Sequence, residues 1–415
     1  MSVEYKPLKF KCHEKLQKYN AEYWNRVRQA RASGKRVVWC SAFAPPEIAM
    51  AMDFIPIFVM NNSASCGAAK VSTALCERAE MDGYSPDLCS YPRTDIGSAL
   101  MGEETLNPFK PPKPDLIFVT NGQCHSMRKW NESLAQIFNA PMYMIDTPFM
   151  HDDADAETRQ RAKAYVKDQL QEFIAFLEDF TGQRYNYDRL GELVELSGRM
   201  TRTWLECLDM RENSPSPISV FDIFTHLTPM LGLRSTAEGA SYYEEWKEEI
   251  AERVKNKIGA FPNERFRLHL DGVPLWFNLK GLAAKYAQYG AVPITHVYPF
   301  QFSIWAGLDS SRPLDSIAEC MLSAPVNRGI KQRAEVYINL INKYRLDGVV
   351  MQMGQTCKAL CESAYLNCEE VEERTGVPCV TYDTDFCDAR LHYDAEVDSK
   401  LQAFIELLES RASRA

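Results

Sequence analysis

Residues 114–130 read PDLIFVTNGQCHSMRKW, and how that stretch divides decides the fold class of the 415-residue chain. Residues 116–119 are an apolar, β-leaning run too short for a buried helix, and the Asn121-Gly122 breaker closes it at once. Such a run fits a buried parallel strand. Cys124 then falls at the carboxyl end of a strand and the amino end of a helix. In α/β sheets that is where ligand sites lie, and the helix dipole there favours a thiolate over a thiol.

The pattern recurs far downstream in LDGVVMQMGQTCKALCESAY, residues 346–365, with a strand over 348–353, a turn over 354–356 and Cys357 at a helix start. Two strand-turn-cysteine units so widely separated point to two domains meeting at one metal centre. A third candidate is Cys89, in the loop segment GYSPDLCSYPR at 83–93. Spacing leaves a plainer reading open for each of the three: a free cysteine is a small hydrophobe that is often simply buried.

Composition narrows the classes. At 415 residues the chain is long enough for two or three domains with substantial cores, and 46% hydrophobic with 25% charged residues is ordinary for a globular protein. A net charge of -9 argues against nucleic acid or an anionic membrane as partner, since both need a concentrated basic surface. The first sixteen residues, MSVEYKPLKFKCHEKL, carry neither an apolar core nor a small-residue cleavage site, and no later run reaches the length of a spanning helix, so a cytoplasmic protein without a membrane segment is expected. Thirteen cysteines in a reducing compartment then call for metal, redox chemistry or burial rather than a disulfide framework.

Apolar periodicity gives residues 13–33 as a helix, 36–40 as a strand, a helix opened by Pro45-Pro46, and a second strand over 55–60. A helix over 68–82, the strand at 115–119 and another at 142–146 complete an α/β domain spanning 1–150. Residues 154–180, 188–212, 214–224 and 241–254 are helical and polar, giving a helical connection over 151–260. Strands at 266–270, 291–297, 348–353 and 378–382, separated by helices and closed by a helix at 394–411, build a second α/β domain over 261–415.

No glycine-rich dinucleotide fingerprint, phosphate loop or nucleophile elbow stands at a strand-helix junction, which disfavours nicotinamide and direct ATP chemistry. The seven histidines show no zinc spacing, and His125 reads as a local hydrogen-bonding residue. Cys361 lies four residues after Cys357, which could turn both to one site. Thiolates select iron-sulfur clusters or zinc. Three cysteines leave one corner of a cubane open to substrate, a catalytic rather than an electron-wire arrangement.

The segments GYSPDLCSYPRTDIG (83–97), PDLIFVTNGQCHSMRKWNE (114–132), NSPSPISVFDIF (213–224), ERFRLHLDGVPLW (264–276), LDGVVMQMGQTCKAL (346–360) and GVPCVTYDTDFCDARLHYDAEVDSKLQAFIELLE (376–409) together resemble the 2-hydroxyacyl-CoA dehydratase and benzoyl-CoA reductase family. The likeness runs from about residue 20 to the end. It implies two flavodoxin/Rossmann-like parallel-sheet domains plus a helical part, with Cys89, Cys124 and Cys357 as ligands of a [4Fe-4S] cluster whose fourth iron faces substrate. It also implies a heterodimer with a homologous, cluster-bearing subunit, and a separate ATP-dependent iron-sulfur activator that delivers single electrons. The SPSP segment, the VYPF segment and the helix after Cys124 look closest to the larger, substrate-binding dehydratase subunit.

The implied activity is radical elimination of water from an (R)-2-hydroxyacyl-CoA. In such a thioester the β-hydrogen is barely acidic and hydroxide leaves poorly; a one-electron reduction to a ketyl changes both, and the electron returns once the enoyl-CoA forms. The chain departs from the family in places. Asn61 in VMNN stands where a carboxylate is usual, Phe300 where a histidine is frequent after Tyr-Pro, and DTDFCDAR adds Cys387. Ser41 is kept with changed neighbours, and it and Asn61 are the catalytic candidates near the open iron. The extra cysteines Cys40, Cys66, Cys76, Cys361 and Cys387 keep a double-cubane small-molecule reductase in view. Aryl- or enoyl-thioester reduction, a scaffold-like subunit and a zinc-bound binding protein also stay open.

Overall fold

In the computed structural model, which describes residues 8–413, Arg36–Cys40 (β1), Phe54–Phe58 (β2), Leu116–Thr120 (β3) and Met142–Ile145 (β4) form a parallel sheet in the order β2-β1-β3-β4. Phe266–Gly272 (β5), Ala291–Thr295 (β6), Gly348–Gly354 (β7) and Cys379–Thr384 (β8) repeat it as β6-β5-β7-β8. In each sheet the second strand lies on one side of the first and the third on the other. This is the flavodoxin-type order, whose reversal point opens a crevice at the carboxyl ends of the strands. Cys124 follows β3 and Cys357 follows β7, so the two occupy equivalent places in their sheets.

Every residue of β3, β5 and β7 is buried, because helices cover both faces of each sheet. That is why these strands are unbroken apolar runs rather than alternating ones. Between β4 and β5 the described chain is helical: Ala156–Thr181, Tyr187–Asp209, Val220–His226, Thr228–Gly232 and Ala237–Lys255. The amphipathic helices Tyr187–Asp209 and Ala237–Lys255 bury Trp204 and Trp246 against each other, their rings stacked at 5.6 Å. The fold class is therefore α/β, with two four-stranded parallel sheets. Among the described residues no helix is long and apolar enough to cross a membrane. Of the amino-terminal stretch read for a leader, residues 1–7 lie outside the described residues.

Two helices depart from the sequence expectation. The strand expected to run to Met60 ends at Phe58, and the helix Val59–Ala68 begins at once. Asn61 is thus helical. The segment trailing Cys89 is the helix Ser90–Met101, in which every residue from Ser90 to Ser98 is buried, Arg93 and Asp95 included. A helix enclosed on all sides shows no amphipathic stripe, so periodicity has nothing to detect.

That enclosed helix joins the halves. Arg93 donates to Asp388 at 2.8 Å, both side chains 1% exposed. Ser72 Oγ donates to the Cys387 carbonyl at 2.6 Å, and the Ser90 N–H donates to Thr356 Oγ1 at 3.3 Å.

Candidate functional site

Local structure fixes each of the three cysteines. After β3 the chain turns through Asn121-Gly122-Gln123, where a Cβ at Gly122 would lie 2.8 Å from Thr147 Cβ, so only glycine fits. Asn121 Oδ1 accepts from the Thr147 N–H at 2.6 Å and Gln123 Oε1 from the Ala42 N–H at 3.1 Å, tying the turn to the exits of β4 and β1. Cys124 leaves that turn just before the helix Ser126–Phe138. Cys357 caps the helix Lys358–Cys361 immediately after β7, its N–H donating to the Gly354 carbonyl at 2.9 Å. Cys89 caps the helix Ser90–Met101. All three thiols therefore sit at helix amino ends.

They meet around one cavity of about 310 Å³, whose other lining residues are His125, Ser126, Lys358, Ala359 and Glu362. His125, Lys358 and Glu362 are exposed and mark its mouth. Inward lies a smaller apolar chamber of about 60 Å³ that the same three cysteines line, walled by Phe43, Met60, Trp130, Phe302 and Phe386. Tyr91, Gln123, Ser126, Tyr298 and Gln301 bring the polar groups to that chamber. Tyr91 Oη and Tyr298 Oη hydrogen-bond at 3.2 Å, and the Trp276 indole N–H donates to Tyr91 Oη. Gln301 Oε1 is buried without a partner among the described residues.

Burial pushes the Cys124 thiol up to about 12, with the charge of Cys357 adding to the shift. Cys89 is raised by burial and then by Cys357, and Cys357 by its hydrogen bond with Cys361 and then by burial. The helix-end effect expected from sequence is present, since backbone N–H groups at Ser126, Tyr91 and Leu360 act in the opposite direction. It loses to burial and to the neighbouring sulfurs, so the three are thiols in the absence of a compensating cation. Among the described residues no three His, Cys, Asp or Glu side chains close on a single point as a mononuclear ion requires. The three cysteines instead share the lining of one cavity.

None of the remaining candidates lines that cavity, though Cys361 hydrogen-bonds with Cys357. Ser41 is buried and its Oγ accepts from the Thr120 N–H at 3.1 Å, a link between β1 and β3; its neighbours Ala42 and Phe43 line the inner chamber and it does not. Asn61 lines a separate cavity of about 330 Å³. Cys361 Sγ accepts from the Gly354 N–H at 2.9 Å, turned back under β7. Cys40, Cys66, Cys76 and Cys387 are buried, Cys76 Sγ against the Ser90 carbonyl at 3.6 Å and Cys387 Sγ against the Ser63 carbonyl at 3.4 Å. Sequence reasoning missed Tyr91, Tyr298, Gln301 and Phe386. The one signal was proximity in the chain: Tyr91 stands two residues after Cys89, and Tyr298 lies in the VYPF segment.

The family described as "2-hydroxyglutaryl-CoA dehydratase, D-component" matches residues 41–408. The chain is 28% identical over 405 residues to the lactoyl-CoA dehydratase alpha subunit of Anaerotignum propionicum, with 94% of each chain covered. It is 28% identical over 393 residues to the (R)-2-hydroxyisocaproyl-CoA dehydratase alpha subunit of Clostridioides difficile, again with 94% of each covered. It is 27% identical over 407 residues to a benzoyl-CoA reductase subunit of Thauera aromatica, covering 94% of this chain and 93% of that one.

Proposed function

Because the chain belongs to the 2-hydroxyglutaryl-CoA dehydratase D-component family, we propose that it is the alpha-type subunit of a 2-hydroxyacyl-CoA dehydratase in which Cys89, Cys124 and Cys357 hold a [4Fe-4S] cluster. The observation that carries this reading is the meeting of three cysteines, drawn from both halves of the chain, around one cavity. The donor set fits the group. Soft sulfur ligands select iron-sulfur clusters or zinc, and Cys89, Cys124 and Cys357, lining one cavity, would hold such a group. Thiols whose proton affinity is raised by desolvation and, for Cys89 and Cys124, by Cys357 are also a set that iron would convert to thiolates.

When bound, the cluster would supply a low-potential electron and a Lewis-acidic corner. The chain's own residues do the rest. Phe43, Met60, Trp130, Phe302 and Phe386 keep water from the acyl group, which strengthens every polar contact made there. No carboxylate or histidine is among the residues lining the inner chamber. Burial holds Tyr298 and Tyr91 well above the ordinary phenol value, so both are protonated at neutral pH. Tyr298 Oη would give its hydrogen to the departing hydroxyl of an (R)-2-hydroxyacyl thioester, and the tyrosinate left behind would take up the proton released from the β-carbon, directly or through Tyr91, so that one water leaves and the phenol is restored. Gln301 Oε1 is the open acceptor for a substrate hydroxyl.

The alpha-subunit names of the relatives support a partner subunit, which would share this fold and carry its own cluster. An ATP-dependent iron-sulfur activator would deliver the electron, in the cytoplasm. The chain would divide into α/β domains over 1–150 and 261–415 and a helical connection over 151–260. Anaerobic purification followed by iron and sulfide analysis tests the reading: about four iron atoms per chain are expected, falling sharply in Cys89→Ser, Cys124→Ser and Cys357→Ser. Zinc, or unchanged iron in all three variants, would sink it. The near-equal identity to a benzoyl-CoA reductase favours thioester reduction as second reading. Aryl-CoA and 2-hydroxyacyl-CoA substrates assayed side by side separate the two.

A further inference from the structure

The apolar chamber beside the three cysteines is lined by no Asp, Glu, Lys, Arg or His side chain. His125, Lys358 and Glu362 belong instead to the adjoining three-cysteine cavity, at its exposed mouth. Ser126 and Ala359 are half-buried and line both spaces, and half-buried Val326 lines the chamber. Tyr298 is buried and lines both the chamber and the separate 330 Å³ cavity at Asn61, walling one from the other. An acyl group therefore reaches the chamber from the cysteine side, with no passage past Tyr298.

Size and polarity narrow what fits there. A space of roughly 10–15 Å³ holds one water-sized group, so a chamber of about 60 Å³ takes roughly four to six non-hydrogen atoms. Its aromatic wall is braced against widening. Phe386 stacks on Tyr91 at 4.3 Å and Phe43 meets Phe302 edge-on at 6.1 Å, all four rings being buried. The polar capacity is small as well. Gln123 Oε1 already accepts from the Ala42 N–H, and its amide nitrogen meets Met60 Sδ. Gln301 Oε1 stays open, which suits a single hydroxyl. An ionised carboxylate would find no cation among the lining residues, and an unpaired charge in an apolar surround is strongly disfavoured.

We propose that the chamber selects a short, uncharged aliphatic acyl group, of the size of 2-hydroxypropionyl or 2-hydroxybutyryl, and rejects dicarboxylic, aromatic and long-chain ones. Met60 sets the limit. It is the half-buried, unbranched and adaptable member of the wall, on the first turn of the helix Val59–Ala68, whereas the rings are held by one another. The inference rests on the reading that the substrate is an acyl-CoA, and deepens it by naming the acyl class.

The test measures, by calorimetry, the binding of CoA, butyryl-CoA, octanoyl-CoA and glutaryl-CoA to the anaerobically purified full-length chain with its partner subunit. Butyryl-CoA is expected to bind about tenfold tighter than CoA, and the octanoyl and glutaryl esters about tenfold or more weaker than butyryl-CoA. Met60→Ala enlarges the chamber and should recover octanoyl-CoA by about fivefold or more without recovering glutaryl-CoA. Met60→Lys sets a cation at a half-buried position and should recover glutaryl-CoA without recovering octanoyl-CoA. Butyryl-CoA bound no better than CoA, octanoyl- or glutaryl-CoA bound as tightly as butyryl-CoA by the parent, or a variant that fails to recover its ester, would overturn the proposal. Absence of binding for all four, CoA included, would instead overturn the acyl-CoA reading and this inference with it.

Discussion

The backbone N–H of Ser90 donates to Thr356 Oγ1 at 3.3 Å, and the Thr356 hydroxyl donates onward to Asp385. Ser90 follows Cys89 and Thr356 precedes Cys357, so one buried hydroxyl fixes the spacing of two sulfurs that come from different halves of the molecule. Thr356→Val keeps the shape and removes both bonds, leaving a buried N–H and a buried carboxylate short of a partner. A loss of about 1–3 kcal/mol is expected, together with reduced iron retention. Thr356→Ser should restore both. Chemical denaturation with parallel iron analysis reads the two effects, and stability loss without any change in iron would separate this contact from the site.

Asp388 carries the second tie between the halves. Burial raises its carboxyl, but the hydrogen bond from Arg390 and the charges of Arg93 and Arg390 outweigh that, so the net shift is downward. A carboxyl depressed in the native state contributes stability that is present above its unfolded value, near 4, and lost as pH falls below it. Asp388→Asn should cost about 3 kcal/mol at pH 7, because it leaves the Arg93 guanidinium buried with Glu80 as its remaining carboxylate. The variant should also lose less than the parent between pH 5 and pH 3. Melting temperatures across that interval decide it: parallel curves would mean the pair carries no linked proton.

What sequence can and cannot disclose follows from the range of each interaction. Strand, turn and helix start are written in consecutive residues, so all eight strands and the helix-end positions of Cys124 and Cys357 are legible from runs such as LIFVT and GVVMQMG. The helix Ser90–Met101 is not, since its register is set by burial on every side, with polar residues such as Arg93 held by partners some 300 positions away in the chain. The chamber wall is hidden for the same reason. Tyr91 stacks on Phe386 at 4.3 Å and bonds Tyr298, a contact of three segments that no local pattern announces. Asn61 reads as a neighbour of the metal because it follows a strand; the helix starting at Val59 turns it to the separate cavity instead.

Asp95, on the same enclosed helix, titrates in the opposite sense to Asp388. Burial pushes its carboxyl up to about 7 despite hydrogen bonds from Asn62 Nδ2 and Ser63 Oγ, both at 2.8 Å. A raised carboxyl contributes stability that is fully present below its unfolded value and lost as pH rises through the folded one. Between pH 4 and pH 7 the unfolded chain has released a proton that the native state keeps, so stability declines and then levels off above 7. The decline should be at most about 4 kcal/mol. Asp95→Asn retains an acceptor for both donors and should flatten the profile over that window. Urea midpoints at pH 5 and pH 8 measure it: a variant that declines as steeply as the parent would locate the titration elsewhere.

Tyr298 separates a catalytic hydroxyl from a merely structural one. Its ring forms the wall between the two cavities, and its oxygen meets Tyr91 Oη at 3.2 Å. Tyr298→Phe keeps the ring and therefore the wall, while removing the one hydroxyl that can donate to a leaving oxygen from that side. If the phenol acts as proton donor, kcat for water elimination should drop by about a hundredfold or more with KM for the thioester little changed. Burial keeps both phenols protonated well beyond neutral pH, so the surviving activity should show the parent's pH profile with no new alkaline limb. Tyr91→Phe offers the contrast. Its hydroxyl also holds the Trp276 indole, so that variant should lose stability as well as kcat. Equal kcat in Tyr298→Phe and the parent would assign the tyrosine to the wall alone, and the departing hydroxyl would then take its proton from another group, such as Tyr91 or Ser126 of the same chamber.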